Sequence, residues 1–423
     1  MKIKFSFLII VIAFKVFGQE RPHTLKYSYF MAPEVLFGIL SEPNTDFPEV
    51  GFQKTVYLTF GKYQDNNQQE WASRLNYPKT GFSLGFSDYG NSEQVGKSYS
   101  LLPYAEFRLF DSQKLNALFG LGASYHDVQY DIRENPNNKA VSTKFSWAFR
   151  GSLTYDWWYF EKSMLRLSLN YLHHSNGHVR LPNQGMNSFL LGVSYETGVF
   201  RSMDSGKQDK VIPEFSRSTY NFLDLRFGLG QNVLSEIYND KKEVYAIALS
   251  YGKVINKTYS FGGGIYYRFY EHYYQYIKND EMLVKEDYPE LRDHPVLNAS
   301  AFGIFGTGEL LLNHIGIEFQ LGINIYKPAY KIDWRLNQGY VFIAYDDEDE
   351  PYIAVKLGEL DSYYKIKKTI SSRLGLKYYI IPTDETPVHN FYIGAHLNAN
   401  LGQADFGELS IGYTYNFNLK GSN

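Results

Sequence analysis

The sequence predicts an all-β fold, a transmembrane antiparallel β-barrel of about 14–16 strands. Three observations carry that expectation. Apolar and polar residues alternate with a period of two over many segments, the signature of strands whose two faces meet different surroundings. Aromatic residues are abundant, with 38 Tyr and 31 Phe among 423 residues, and such side chains collect where an apolar wall meets water. Finally, no stretch beyond the N-terminus approaches the ~20 apolar residues that a membrane helix needs. The competing reading is a secreted β-sandwich.

The chain opens with Lys2 and Lys4, an apolar run from Phe5 to Phe14, and Val16-Phe17-Gly18 before Gln19. This pattern is expected to be a cleaved secretory signal over residues 1–18. Strand patterns follow near 24–32, 55–62, 80–88, 102–110 and 115–125. Over 145–157, Phe145, Trp147, Phe149, Leu153, Tyr155 and Trp157 share one face, while Ser146, Arg150, Ser152, Thr154 and Asp156 take the other. Over 164–175 the apolar face holds Leu165, Leu167, Leu169 and Tyr171, and it ends in His173 and Ser175. The next strand presents Asn187, Phe189, Leu191, Val193 and Tyr195 together. Further dyads extend to the C-terminus, including Ile315–Ile325, Phe391–Leu401 and Leu409–Phe417.

Connections near 111–114 and 160–163 are short, whereas those near 89–100, 127–143 and 176–186 are longer, as in barrels with short periplasmic turns and long outer loops. The stretch 63–79 is long for a periplasmic turn. Residues 199–219, with Arg201, Asp204, Lys207, Asp209 and Lys210, are the expected boundary between a 19–198 half and a 220–423 half. A single barrel is the preferred architecture. The alternative is an eight-stranded barrel followed by a second β unit. Long loops are expected at 271–297 and 327–368. The acidic run Asp346–Glu350 reads as solvated loop, because it lacks the glycine-bearing spacing of a calcium loop.

Composition narrows the function. There is no cysteine, so thiolate and disulfide chemistry are excluded, and a net charge of −3 gives no reason to expect nucleic acid. Charges on the polar faces, such as Glu106, Arg108, Asp224, Arg226 and Glu318, are expected to fill the lumen as ion pairs.

One cluster carries potential chemistry. His173 and Ser175 continue the apolar face of the seventh strand, and Asn187 continues that of the eighth, its hairpin neighbour. Three polar groups then gather on a lipid-facing wall, where groups without partners are costly. His173 could act as general base on a nucleophilic Ser175, with a third polar group fixing the imidazole tautomer. The N–H groups of Asn176 and Gly177, or the Asn176 side chain, could form an oxyanion hole. Leu165 to His173 spans about 20 Å of a band ~25 Å tall, at ~3.3 Å per residue and a tilt near ~40°. That depth matches an ester at the sugar–acyl junction of lipopolysaccharide. A zinc site built from His173, His174 and His178 is the weaker reading, since His174 faces away from His173 and no cysteine or nearby carboxylate completes the set. No metal or cofactor is expected.

At these residues the chain resembles the lipid A 3-O-deacylase (PagL-type) and acyloxyacyl hydrolase family. The family's His-x-Ser-Asn motif matches His173, Ser175 and Asn176, and its Pro-Asn-x-Gly element matches Pro182, Asn183 and Gly185. The resemblance covers roughly residues 24–198. The C-terminal half, with Gly375–Tyr379 and Gln403–Gly407, is similar to the extension in larger barrels of this label. The resemblance implies an outer-membrane esterase that removes a 3-hydroxyacyl chain from lipid A, with His173 as base, Ser175 as nucleophile and Asn176 as oxyanion contributor. It also implies a glutamate as third member, where this chain has Asn187. The runner-up is a non-catalytic outer-membrane barrel: a channel, transporter or surface-binding protein.

Overall fold

The computed structural model describes residues 27–110, 114–201, 213–345, 351–356 and 360–420. The expected signal segment, Asp346–Glu350 and residues 202–212 of the expected boundary lie outside them. Sixteen of the described strands form two closed antiparallel barrels of eight strands each. The first comprises β1 (Tyr27–Ser41), β2 (Gln53–Tyr63), β3 (Lys79–Asp88), β4 (Lys97–Leu109), β5 (Leu115–His126), β6 (Phe145–Tyr159), β7 (Ser163–Ser175) and β8 (Met186–Arg201). The second begins with β9 (Thr219–Asn232), β10 (Lys242–Ile255), β11 (Tyr259–Tyr270), β12 (Ser300–Leu312) and β13 (Ile315–Tyr326). A small hairpin, β14 (Tyr340–Tyr345) and β15 (Pro351–Lys356), stands apart from it. The barrel then resumes with β16 (Ile370–Tyr379), β17 (His389–Asn400) and β18 (Gln403–Lys420).

The sixteen barrel strands agree with the sequence reading, but the arrangement is the alternative one and not a single barrel. β8 closes on β1, with Ser194 opposite Glu34 and Asn187 opposite Ser41. β9 closes on β18, with Leu229 opposite Leu409. The lumen explains why eight strands suffice, since a barrel of that size is just wide enough for side chains to fill. In the first barrel Arg166 lies 2.6 Å from Glu106, 2.7 Å from Asp156 and 2.9 Å from Glu196, and Lys79 lies 2.7 Å from Glu196. Arg150 meets Glu34 at 2.6 Å. In the second, Arg373 joins Glu318 and Glu408 while Lys377 joins Glu309 and Glu318. Most of the inward charges are thus ion pairs that pack each lumen; Asp224 instead accepts from Tyr392 OH (3.1 Å) and Thr414 Oγ1 (2.9 Å).

The opposite faces are apolar and bare. Leu191 is 64% exposed and Leu409 70% exposed, and Leu101, Phe119, Leu169, Ile323 and Phe391 are also exposed. Such continuous apolar walls suit hydrocarbon surroundings, and a closed barrel leaves no unpaired backbone edge within them. No helix among the described residues is long and apolar enough to cross a membrane.

The loops hold short helices: α1 (Glu70–Arg74), α2 (Glu271–Lys278), α3 (Met282–Glu286), α4 (Pro295–Asn298), α5 (Tyr330–Leu336) and α6 (Asp361–Thr369). The 63–79 stretch is long because α1 bridges the barrels. Its Trp71 and Ala72 pack with Leu312, Leu310 and Ile317 of the second barrel. At the long-loop end, Leu181 N donates to Asn239 Oδ1 (2.9 Å), Asn239 Nδ2 donates to Leu181 O (2.6 Å) and Val233 N donates to His178 O (3.1 Å). The barrels therefore stand side by side with their long loops at one end.

Candidate active site at the long-loop end of the first barrel

β7 carries its alternation to its last residues. Leu167 and Leu169 are exposed, while Arg166, Ser168, Asn170 and Leu172 are buried inside. His174 follows them into the lumen, where its Nδ1 lies 2.8 Å from Ser124 Oγ and its ring meets His126 edge-on. His173 takes the opposite face and is half-buried. Its Cα partner on β8 is Asn187, and its Nδ1 lies 2.8 Å from Asn187 Oδ1. Tyr171 OH donates to the same Oδ1 at 2.6 Å. Because Oδ1 is an acceptor, His173 Nδ1 carries the proton and Nε2 keeps its lone pair.

Gly185 allows the imidazole to sit there. Its φ is +75°, and a Cβ on it would lie 3.1 Å from His173 Cε1 and 3.0 Å from His174 O. The turn holding it is anchored on the β5–β6 loop, with Gln184 N donating to Lys139 O and Gly185 N to Ala140 O, both at 3.0 Å. Beneath it Leu40, Phe47, Tyr89, Val95, Ala140, Val141 and Met186 form a core of their own. The site therefore rests on a packed platform.

Ser175 is 6% exposed, covered by the turn after it. Its Oγ accepts from Asn183 Nδ2 (2.9 Å) and Gly177 N (3.3 Å). Among the described residues no hydrogen bond joins Ser175 to His173, so the structure brings His173 and Asn187 together directly and leaves the serine as a neighbour. Such hydrogen bonds often tighten only when substrate binds. Asn176 is spent on the loop: its N–H donates to Asn183 Oδ1 (3.1 Å), its Nδ2 to Arg180 O (2.7 Å) and Ser142 Oγ (3.1 Å), and its Oδ1 accepts from His178 N (2.9 Å).

The three histidines weighed as zinc ligands diverge. His173 bonds outside the barrel and His174 inside it, while His178 lies toward the second barrel, near Asp333 and Asp405. Burial pushes the His178 imidazole below its usual range, and those two carboxylates oppose the shift. Sequence reasoning assigned no role to Tyr171 or to the Asn183 amide. Tyr171 was findable, since it shares the odd-numbered face two residues before His173. Asn183 sits in a turn, where periodicity carries no signal.

Residues 49–196 match the family model of lipid A 3-O-deacylase (PagL). The matched segment lies within the first barrel. The match spans about a third of the chain and contains β7, the turn and Asn187. The solved structures that are similar include the outer membrane enzyme PagL, at 13% identity over 40% of this chain and 99% of that one, with a TM-score of 0.29. The NanC porin is 7% identical over 92% of this chain and 100% of that one, with a TM-score of 0.16. Outer membrane protein opdK from Pseudomonas aeruginosa is 8% identical over 93% and 100%, with a TM-score of 0.17. No curated protein matches. With two closed barrels, apolar outer walls and a first barrel that matches the PagL family model in part, the chain is an outer-membrane β-barrel protein.

Proposed function

We propose that the PagL-type barrel is a serine esterase that removes the ester-linked 3-hydroxyacyl chain from lipid A. The observation that carries this reading is the outward-facing His173–Asn187 pair, with Ser175 on the same strand face beside a lipid-exposed wall.

The chemistry follows from the contacts. His173 Nε2 takes the Ser175 proton as Oγ attacks the ester carbonyl, and Asn187 holds the Nδ1–H so that the lone pair stays on Nε2. The negative charge that develops on the carbonyl oxygen needs donors close to Oγ. Gly177 N–H and Asn183 Nδ2 are the donors already there; Asn176, engaged in the loop, supports the turn. Collapse of the tetrahedral intermediate breaks the sugar–acyl C–O bond, and His173 returns its proton to the leaving sugar hydroxyl. Water then releases the fatty acid from Ser175 by the same two steps.

Below the site runs an apolar depression lined by Phe149, Leu153, Leu169, Tyr171, Phe189 and Leu191. It is continuous with the lipid-facing wall and suits the acyl chain. Buried ion pairs in both lumens weigh against the channel alternative.

The test is expression in cells whose lipopolysaccharide keeps this chain, followed by mass spectrometry of lipid A. The expected result is loss of one hydroxyacyl mass with the wild-type protein and none with Ser175→Ala, a drop of about 10³-fold or more. No loss with the wild type, or loss that persists in Ser175→Ala, would sink the reading.

A further inference from the structure

The second barrel touches the candidate site. Trp147 on β6 is the Cα partner of Ser175. On the second barrel Leu397 of β17 and Gly407 of β18 are Cα partners of each other. A Cβ on Gly407 would lie 3.1 Å from Trp147 Nε1. A Cβ on Gly177, at φ +70°, would lie 3.2 Å from both Trp147 Cδ1 and Leu397 Cδ1. The indole is therefore clasped between the turn after the serine and the β17–β18 hairpin, and Leu397 lies against Gly177.

We propose that the substrate site is shared between the barrels, with Leu397 and the Gly407 backbone forming its wall on the β6 side. This inference rests on the esterase reading for the reaction, but its physical content is where an acylated sugar lipid sits. Leu397 is a specificity-determining residue that contacts the lipid beside Gly177, and Gly407 is a positioning residue that acts through Trp147. A lone eight-stranded barrel would leave this side open to lipid. Here it is closed, so the lipid must enter along β7 and β8. A side chain on Gly407 would press on the indole.

The experiment uses the full chain in mixed micelles and compares lipid A with p-nitrophenyl butyrate, an ester without the acylated sugar that the wall would hold. Leu397→Ala and Gly407→Val are expected to raise KM for lipid A about tenfold and to change kcat on the short ester less than about twofold, and Leu397→Met is expected to restore KM. A parallel loss on both substrates would mark a merely structural role and overturn the proposal, as would unchanged KM for lipid A. A photo-crosslinking residue at position 397, in the Ser175→Ala background, gives a readout independent of turnover. An adduct with lipid A supports the shared site even where the wild type removes no acyl chain, a result that would sink only the esterase reading. No adduct overturns the shared site even where deacylation proceeds.

Discussion

At the residue scale the decisive side chain is Asn187. Its Oδ1 accepts from His173 Nδ1 and Tyr171 OH at 2.8 and 2.6 Å, which fixes ring and tautomer. A neutral amide cannot offset the imidazolium that forms during attack, whereas a carboxylate can. Asn187→Asp keeps the shape and adds the charge, so it is expected to raise kcat for lipid A deacylation about tenfold in steady-state assays. Unchanged or reduced kcat in a folded variant would argue against His173 as the base. Gly185→Ala tests the same ring from its other side: the new Cβ meets both His173 Cε1 and the backbone oxygen of His174. We expect kcat to fall by about tenfold, with a stability loss on the order of 1 kcal/mol from the positive φ, read as a lower melting midpoint. That His173 and Asn187 share a face on neighbouring strands was legible in the sequence from side-chain parity and hairpin adjacency, whereas the register that sets them opposite one another was not. The partners of Ser175 were not, because Asn183 and Gly177 reach it from a turn whose path is set by the neighbouring β5–β6 loop.

At the element scale period-two alternation made the strands visible, and β7 matches its expected span of 164–175 closely. The helices were invisible for a physical reason. α1 has five residues and α2 eight, too short for a 3.6-residue period to stand out from loop composition. Yet these pieces cap the barrels. In α2, His272 Nδ1 lies 2.7 Å from Asn232 Oδ1 at the mouth of the second barrel, and burial pushes its imidazole down to about 3. Since the folded value lies below the ordinary 6.5, the unfolded chain binds the proton more readily, and acid favours opening. The contribution is intact above about pH 6.5 and fades as pH falls, the loss reaching about 2 kcal/mol at pH 5. The thermal midpoint of the wild type should therefore drop more between pH 7.5 and 5 than that of His272→Gln. Equal drops would remove His272 from the account.

At the scale of the whole molecule, the sequence left open whether 16 strands form one barrel or two, because closure leaves no local imprint. Closing β8 on β1 joins segments far apart in the chain, Ser41 with Asn187 and Tyr27 with Arg201, whereas β9 follows β8 directly, and both choices leave the same strand faces toward lipid. The consequence for function lies in the lumen. A single 16-stranded barrel would enclose an aqueous path, whereas each eight-stranded barrel is filled by its own charges. Arg166 alone meets three carboxylates, Glu106, Asp156 and Glu196, and Lys79 bonds Glu196 from the other side. The protein reconstituted in planar bilayers is accordingly expected to give no stable conductance steps. Arg166→Ala leaves those three carboxylates with Lys79 as their nearest cation, a loss of about 3–5 kcal/mol that should appear as a lower unfolding midpoint, since breaking a buried pair costs far more than the pair is worth. Steady channels in the wild type, or an Arg166→Ala variant as stable as the wild type, would mean that the lumen is wet and the network is not what fills it.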